Sequence, residues 1–117
     1  MDLRDLVRAL LAYEALVARQ WVADSLRQNL AWASVSRPVG LDATGLGVAA
    51  GIAELLAARA GQTPPLWTSA VESAPTPVVL VKAALTMPRL RRLCELEGPE
   101  QLRRRGILAP PEFLTIA

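Results

Sequence analysis

The sequence predicts an all-α fold, a compact bundle of five or six short helices around a buried central helix. Three stretches support this prediction: an almost uncharged helix-favouring run at residues 42–60, a run at 2–28 free of glycine and proline, and two further helical stretches within 86–105. With 117 residues, 52% of them hydrophobic, the chain has enough apolar side chains for a core without disulfides or metals. We therefore expect one helical domain spanning residues 1–117.

Residues 2–28 are predicted to be helical, and an apolar stripe at helical spacing marks one face. The stripe consists of Leu3, Leu6, Val7, Leu10, Tyr13, Val17 and Trp21. It then fails, because Asp24 and Gln28 occupy its continuation. Either one helix turns a second face to the core, or the segment breaks near residues 12–14. We favour two helices, since an antiparallel hairpin buries the faces of a short chain more easily.

The central helix is predicted at about residues 42–60. Its start is assigned to Asp42 or Thr44, since either side chain is able to accept a hydrogen bond from a free first-turn amide. Gly61 suits the left-handed residue that often ends a helix. Only three residues in the stretch are charged, so apolar surface covers most of the cylinder, as is typical of a buried helix. Its internal glycines each cost about 1 kcal/mol relative to alanine, a cost offset where they admit a neighbouring helix at close range.

A proline-bearing turn follows the central helix. Because the prolines prevent the helix from resuming, we expect Leu66 and Trp67 to return to the core, with Trp67 packed near Leu55 and Leu56. The run at residues 78–81, VVLV, is β-branched and predicted to be extended, although no partner strand is obvious. Helix is the alternative for this run.

Two helices and an apolar tail are predicted in the last third of the chain. The first covers residues 86–97 with Thr86 near its N-cap, and the second is a short helix at 100–105 that Gly106 ends. The tail at residues 107–117 is predicted to be extended with a turn at 110–114. It is too apolar to remain in water, so we expect it to dock, either on the central helix or on a second copy or partner.

The composition argues against catalytic chemistry. Histidine, the commonest general base and metal ligand, is absent, and no phosphate-binding, dinucleotide-binding or metal-binding motif occurs. Cys94 is the only cysteine; Arg91 and Arg92 nearby favour a reactive thiolate, but the mid-helix position beside leucines predicts a buried, unreactive thiol. We expect a protein that is not an enzyme, with no catalytic residue, metal or cofactor.

The sequence also bears on location. A single cysteine fits a reducing compartment, and the first eight residues alternate charged and apolar side chains, unlike a signal peptide. No uncharged run is long enough to span a bilayer. We therefore expect a cytoplasmic protein with no membrane association.

The candidate binding residues are mostly arginines near the C-terminus, whose guanidinium groups suit carboxylate or phosphate. The candidate contacts for a protein partner or phosphate are Arg89, Arg92, Arg103, Arg104 and Arg105. The alternative is that these arginines solvate exposed helix faces and pair with Glu95, Glu97 and Glu100. Two aromatic residues, Trp67 and Phe113, the latter the chain's only phenylalanine, are candidates for a structural or docking role.

Two blocks of sequence, AELLAARAGQTPPLW at residues 53–67 and GPEQLRRRGILAPPEFL at 98–114, resemble a family of uncharacterised bacterial helical domains. In that family the domain often follows a helix-turn-helix DNA-binding domain, or is encoded beside a nucleotidyltransferase-like protein in arrangements typical of toxin–antitoxin pairs. The short N-terminal helices here leave little room for a complete helix-turn-helix domain. The resemblance therefore implies the partner-binding half of such a system and brings no catalytic residues.

These features together predict a non-enzymatic module, antitoxin-like or regulatory in type, that binds a protein partner or forms a homo-oligomer. The alternative is a nucleic-acid accessory protein that uses the C-terminal arginines.

Overall fold

Helices account for most of the computed structural model, in which residues 1–116 are described. Five α-helices occur in this range: α1 Leu3–Leu11, α2 Ala15–Arg27, α3 Ala43–Arg59, α4 Pro88–Glu97 and α5 Glu100–Arg103. Short 3-10 segments lie at Trp32–Ser34, Leu66–Ala70 and Lys82–Leu85, and two short strands are β1 Val78–Val79 and β2 Ile107–Leu108. The radius of gyration is 13.1 Å, close to the value of about 13 Å for a compact chain of this length. The prediction of a compact, mostly helical fold is confirmed.

The N-terminal segment consists of two helices. Asp2 caps the first turn of α1, and the helix ends in a turn where Tyr13 has φ 58°, a left-handed conformation that stops helices. This turn resets the helical phase, so the predicted stripe is interrupted after Leu10: Val17 is 54% exposed, although Trp21 packs against the core. The residues that α2 buries instead are Ala18, Val22 and Ser25.

The central helix, α3, lies where the sequence predicts it. The Asp42 side chain accepts a hydrogen bond from the Gly45 amide at 2.8 Å, so Asp42 rather than Thr44 is the cap. The helix ends before Gly61, which has φ 68°. Of its 17 residues, 12 are buried, because α1, α5 and the segment Leu66–Ala70 all pack against it.

One of the internal glycines of α3 admits a second helix. A Cβ atom on Gly51 would lie 3.0 Å from Leu102 Cδ2 of α5 and 3.3 Å from Arg105 Cδ. Gly47 instead faces the backbone of a loop at Ala74, and Gly45 faces its own N-terminal cap. The prediction of close helix packing therefore holds at Gly51 alone, and it is there that α5 lies against α3.

The extended run at 78–81 has a partner strand that the sequence does not reveal. Val78 and Val79 pair in parallel with Ile107 and Leu108. A parallel pair requires a long crossover connection, which α4 and α5 supply here. The prediction of an extended run is confirmed, but the fold is not purely helical.

The C-terminal tail docks on its own chain. Ile107 and Leu114 are buried, and the predicted turn forms at residues 111–114. Arg59, the last residue of α3, donates hydrogen bonds to the carbonyls of Pro111, at 3.1 Å, and of Phe113. Of the two alternatives for the tail, the structure shows intramolecular docking; Ala117 lies outside the described residues.

Trp67 and Leu66 lie side by side in one 3-10 segment but have different environments. The ring of Trp67 is half-buried against the core, and its indole N–H donates to the Val35 carbonyl at 2.8 Å. Leu66 was predicted to return to the core, yet it is 89% exposed. Neighbours in a 3-10 segment point about 120° apart, so only one of the two is able to face the core.

This contrast predicts unequal effects of two alanine substitutions. We expect Trp67→Ala to lower the free energy of unfolding by about 3 kcal/mol, because it removes buried ring surface and leaves the Val35 carbonyl without its donor. Leu66→Ala should change it by less than about 0.5 kcal/mol. Urea unfolding of both variants measures the difference, and equal effects would contradict the packing described for this segment.

Gly98, between α4 and α5, is predicted to tolerate no side chain. A Cβ atom there would lie 2.4 Å from the Ala109 carbonyl oxygen and 2.6 Å from that of Cys94, both backbone atoms with little freedom to move. We expect Gly98→Ala to destabilise by about 3 kcal/mol. Gly61→Ala is the matched control: it meets no atom within 4 Å, and its positive φ should cost about 1 kcal/mol. A thermal melt in which Gly61→Ala is the more harmful change would refute this assignment.

Candidate functional site

The five candidate arginines fall into two groups with different surroundings. Arg103, Arg104 and Arg105 lie in and just after α5, and each bonds within the chain. Arg89 and Arg92 lie on α4 and are exposed. The two groups therefore have to be assigned separate roles.

Arg105 lies in the interior, where it was predicted to be a surface contact. It is 7% exposed, and its Nε donates to Glu54 Oε1 on α3 at 2.9 Å. The other two guanidinium nitrogens donate to the Val71 carbonyl at 2.7 Å and the Thr68 carbonyl at 2.8 Å. The prediction that Arg105 contacts a partner or phosphate is therefore corrected: this side chain joins α5 to α3 and to the segment after it.

The two preceding arginines also make internal contacts. Arg104 remains 53% exposed in its side chain but lies 3.2 Å from Glu54 Oε2, and Arg103 Nε donates to the Gly98 carbonyl at 2.6 Å. Of the predicted acidic partners only Glu95 is used, by Arg91 at 3.3 Å. The main acidic partner is Glu54, which is 51 residues from Arg105 in sequence. No local spacing reveals this pair.

Glu54 is a buried carboxylate whose charge the arginines stabilise. Burial by itself raises the pKa of a carboxyl group, but the hydrogen bonds and positive charges of Arg105 and then Arg104 outweigh it and hold the pKa of Glu54 below its ordinary value of 4.5. The side chain is thus ionised in the folded protein near neutral pH. Both of its oxygens are occupied by arginine, so it is a structural group rather than a free acid or base.

Helix α4 is attached to the fold by one face. It begins with Pro88 at its first position, but its N-cap is Met87 and not Thr86, which is the C-cap of the preceding 3-10 segment. Cys94 is the only fully buried side chain of the helix. Burial raises the pKa of the Cys94 thiol, so the thiol stays protonated near neutral pH, in agreement with the prediction of a buried, unreactive cysteine.

The opposite side of α4 presents what we call the α4 outer face: Arg89, Arg92 and Leu96. At about 100° per residue these positions fall within an arc of about 60°. Leu96 is 59% exposed, and among residues 1–116 no carboxylate lies within 4.0 Å of either arginine. Met87, just before the helix, is also more than half exposed. The face therefore combines two uncompensated positive charges with exposed apolar surface.

Sequence reasoning selected Arg89 and Arg92 but missed Leu96. The signal was present in the spacing, since residues 89, 92 and 96 follow the i, i+3, i+7 pattern of one helical face. The predicted burial of Cys94, which the structure shows, places the outer face on the opposite side of the helix. Leu96 could therefore have been assigned to this face from the sequence.

The other two candidates, Trp67 and Phe113, both pack against the core. Phe113 and Tyr13 line a cavity of about 420 Å³ between the α1–α2 turn and the tail. The Tyr13 hydroxyl donates to the Val79 carbonyl at 3.1 Å, which fixes this turn against β1. Four charged side chains, two of each sign, also line the cavity: Glu14, Arg19, Lys82 and Glu112. The cavity thus has no net charge with which to select a ligand.

Comparison with protein families, with curated proteins and with solved structures gave no match. Within residues 1–116, no three His, Cys, Asp or Glu side chains are grouped so as to hold a metal ion. No helix in the same range has both the length and the apolar composition required to cross a membrane.

The Glu54–Arg105 pair predicts a pH-dependent loss of stability. We expect Glu54→Gln to lower the free energy of unfolding by about 3 kcal/mol near neutral pH, because it leaves the charge of Arg105 buried without its partner. A lowered pKa in the folded state stabilises above the ordinary glutamate value and ceases to do so as pH falls through the folded value. The difference between wild type and variant should therefore be largest above pH 4.5 and shrink below it.

Urea unfolding at a series of pH values, from about 7 down to about 3, measures this difference. Glu97→Gln is the matched control, because Glu97 is exposed and forms no ion pair within the described range. A difference for Glu54→Gln that stays constant or grows on acidification would contradict the assigned role.

Proposed function

We propose that this chain is a non-enzymatic module, regulatory or antitoxin-like in type, that binds a protein partner through the α4 outer face. The observation that carries the proposal is the presence of two arginines without internal partners beside an exposed leucine on one helical face. Arginine, methionine and aromatic residues are enriched in protein interfaces, whereas lysine and glutamate are depleted. The location that accords with this proposal is the cytoplasm.

The neighbouring chain extends the apolar part of this surface. Leu85 and Met87, immediately before α4, are each 52% exposed. Single exposed apolar residues are common on protein surfaces. Three large exposed ones within a dozen residues of sequence, in the same stretch as Arg89 and Arg92, offer a partner both apolar burial and charge-assisted hydrogen bonds.

Nucleic-acid binding, the alternative function, has less support. A protein that binds duplex DNA neutralises roughly 6–10 phosphates with basic side chains. Here Arg105 is buried, and Arg103 and Arg104 already bond to the Gly98 carbonyl and to Glu54. The remaining cations near α4 are too few for a phosphate-binding surface of that size, and they alternate with apolar side chains that phosphate does not need.

The proposal predicts that binding of a protein partner requires the side chains of the α4 outer face. We expect affinity capture from the native host to recover a protein with the intact chain and to lose it with the double variant Arg89→Gln/Arg92→Gln, or with Leu96→Gln. Arg91→Gln and Leu66→Gln are matched controls, since Arg91 pairs with Glu95 on another side of the helix and Leu66 is exposed far from α4 in sequence.

Two results would count against the proposal. One is capture that all four variants retain equally. The other is tight binding of mixed-sequence DNA or RNA whose affinity falls steeply with salt concentration, which is the behaviour of a phosphate-binding surface. Melting temperatures of the variants should match that of the intact chain, because the three substituted residues of the outer face are exposed or lie outside the core.

A further inference from the structure

We infer that the partner segment received by the α4 outer face is an acidic amphipathic helix, with carboxylates on successive turns beside apolar residues. This inference rests on the proposed function and specifies the chemistry of the partner. It is drawn from three properties of the face: the spacing of its two arginines, the position of Leu96, and the absence of an internal counter-ion.

The arginine spacing matches a helical ligand. Arg89 and Arg92 are three residues apart on α4, so they are separated by about 4.5 Å along the helix axis. Carboxylates three or four residues apart on a second helix repeat at about 5–6 Å. Each guanidinium fork is suited to bind one carboxylate in a bidentate manner. Two aspartates or glutamates on successive turns of the partner therefore fit this pair of cations.

Apolar surface continues along the same line. Leu96 lies four residues beyond Arg92, about 6 Å further along the axis, and Met87 lies just before the first turn. Met87 precedes the arginine pair in sequence and is exposed, but Leu96 is the apolar residue that shares the arc of the two arginines. A partner helix that places an apolar anchor about one turn from its carboxylates would cover this surface, as amphipathic helices do in grooves.

The electrostatics favour a negatively charged segment. Among residues 1–116 neither Arg89 nor Arg92 has a carboxylate within 4.0 Å, and Glu95, the nearest acidic residue along the chain, pairs with Arg91. Binding an acidic partner therefore displaces no internal ion pair. A partner without acidic residues would desolvate two arginines with no compensating charge, which is unfavourable.

Two other negatively charged surfaces fit the face less well. A nucleic acid presents phosphates along its outer surface, whereas its apolar groups lie in the grooves or on the base faces. A lipid surface offers both, but helices that lie in membranes need a broad apolar face, and here Leu96 is the one apolar member of a basic arc. An acidic helix satisfies the charges and the leucine together.

The test is selection from a display library of helical peptides of random surface sequence, with the intact folded chain as bait. We expect the selected peptides to be enriched in Asp and Glu spaced three or four residues apart beside Leu, Ile or Phe. Fluorescence anisotropy should show binding about three- to tenfold weaker for Arg89→Gln/Arg92→Gln, since two exposed ion pairs are lost, and unchanged for Arg91→Gln. Replacing the selected carboxylates by amides should weaken binding by a similar factor.

Selection without acidic enrichment, or equal weakening by Arg91→Gln, would overturn the inference. So would tighter binding of duplex DNA or of anionic lipid vesicles than of the selected peptides, if that binding also depended on Arg89 and Arg92. A different result would refute the proposed function: affinity capture from the native host that does not change when the outer-face residues are substituted. If capture depends on the face but the library yields no acidic helices, only the partner chemistry is refuted.

Discussion

The buried carboxylate of Glu54 is the constraint on which the rest of this fold depends. A charge in the middle of the central helix is unfavourable unless it is paired and hydrogen-bonded. Arg105 meets both needs, and its remaining nitrogens donate to the carbonyls of Thr68 and Val71. One guanidinium thus fixes three parts of the chain, α3, the segment after it and the end of α5. Substitution of either partner leaves polar groups in the interior without bonds.

The position of Arg105 also determines the elements that follow it. Ile107 comes two residues later and pairs with Val78, so the ion pair places β2 beside β1. The tail then returns to the end of α3, where Arg59 binds its turn through backbone carbonyls. Two arginines, Arg105 in the interior and Arg59 at the surface, thereby organise the C-terminal third of the chain, while Gly51 leaves the space that lets α5 approach α3.

Features set by local chemistry were predictable from the sequence, and those set by distant pairing were not. The buried central helix with Asp42 and Gly61 at its ends, and the break near residue 13, follow from caps, turns and periodicity within a few residues. The β1–β2 pair and the Glu54–Arg105 contact join segments far apart in sequence, and no short pattern encodes them. In the candidate site, Arg89 and Arg92 were found from charge alone. Leu96 was missed, although its helical spacing and the predicted burial of Cys94 place it on the same face as the two arginines.

The separation of the arginines into two groups gives a physical reason to assign binding to α4. Each arginine from 103 to 105 has an internal bond that explains its presence, so none of the three needs a ligand to account for it. Within residues 1–116 Arg89 and Arg92 have no such bond, and Leu96 exposes most of its side chain, although α4 is held in place by Cys94 and the close contact at Gly98 on its other side. Nothing in the packing of α4 requires these three residues. Their charge and apolar surface are therefore available to a partner without any rearrangement of the fold.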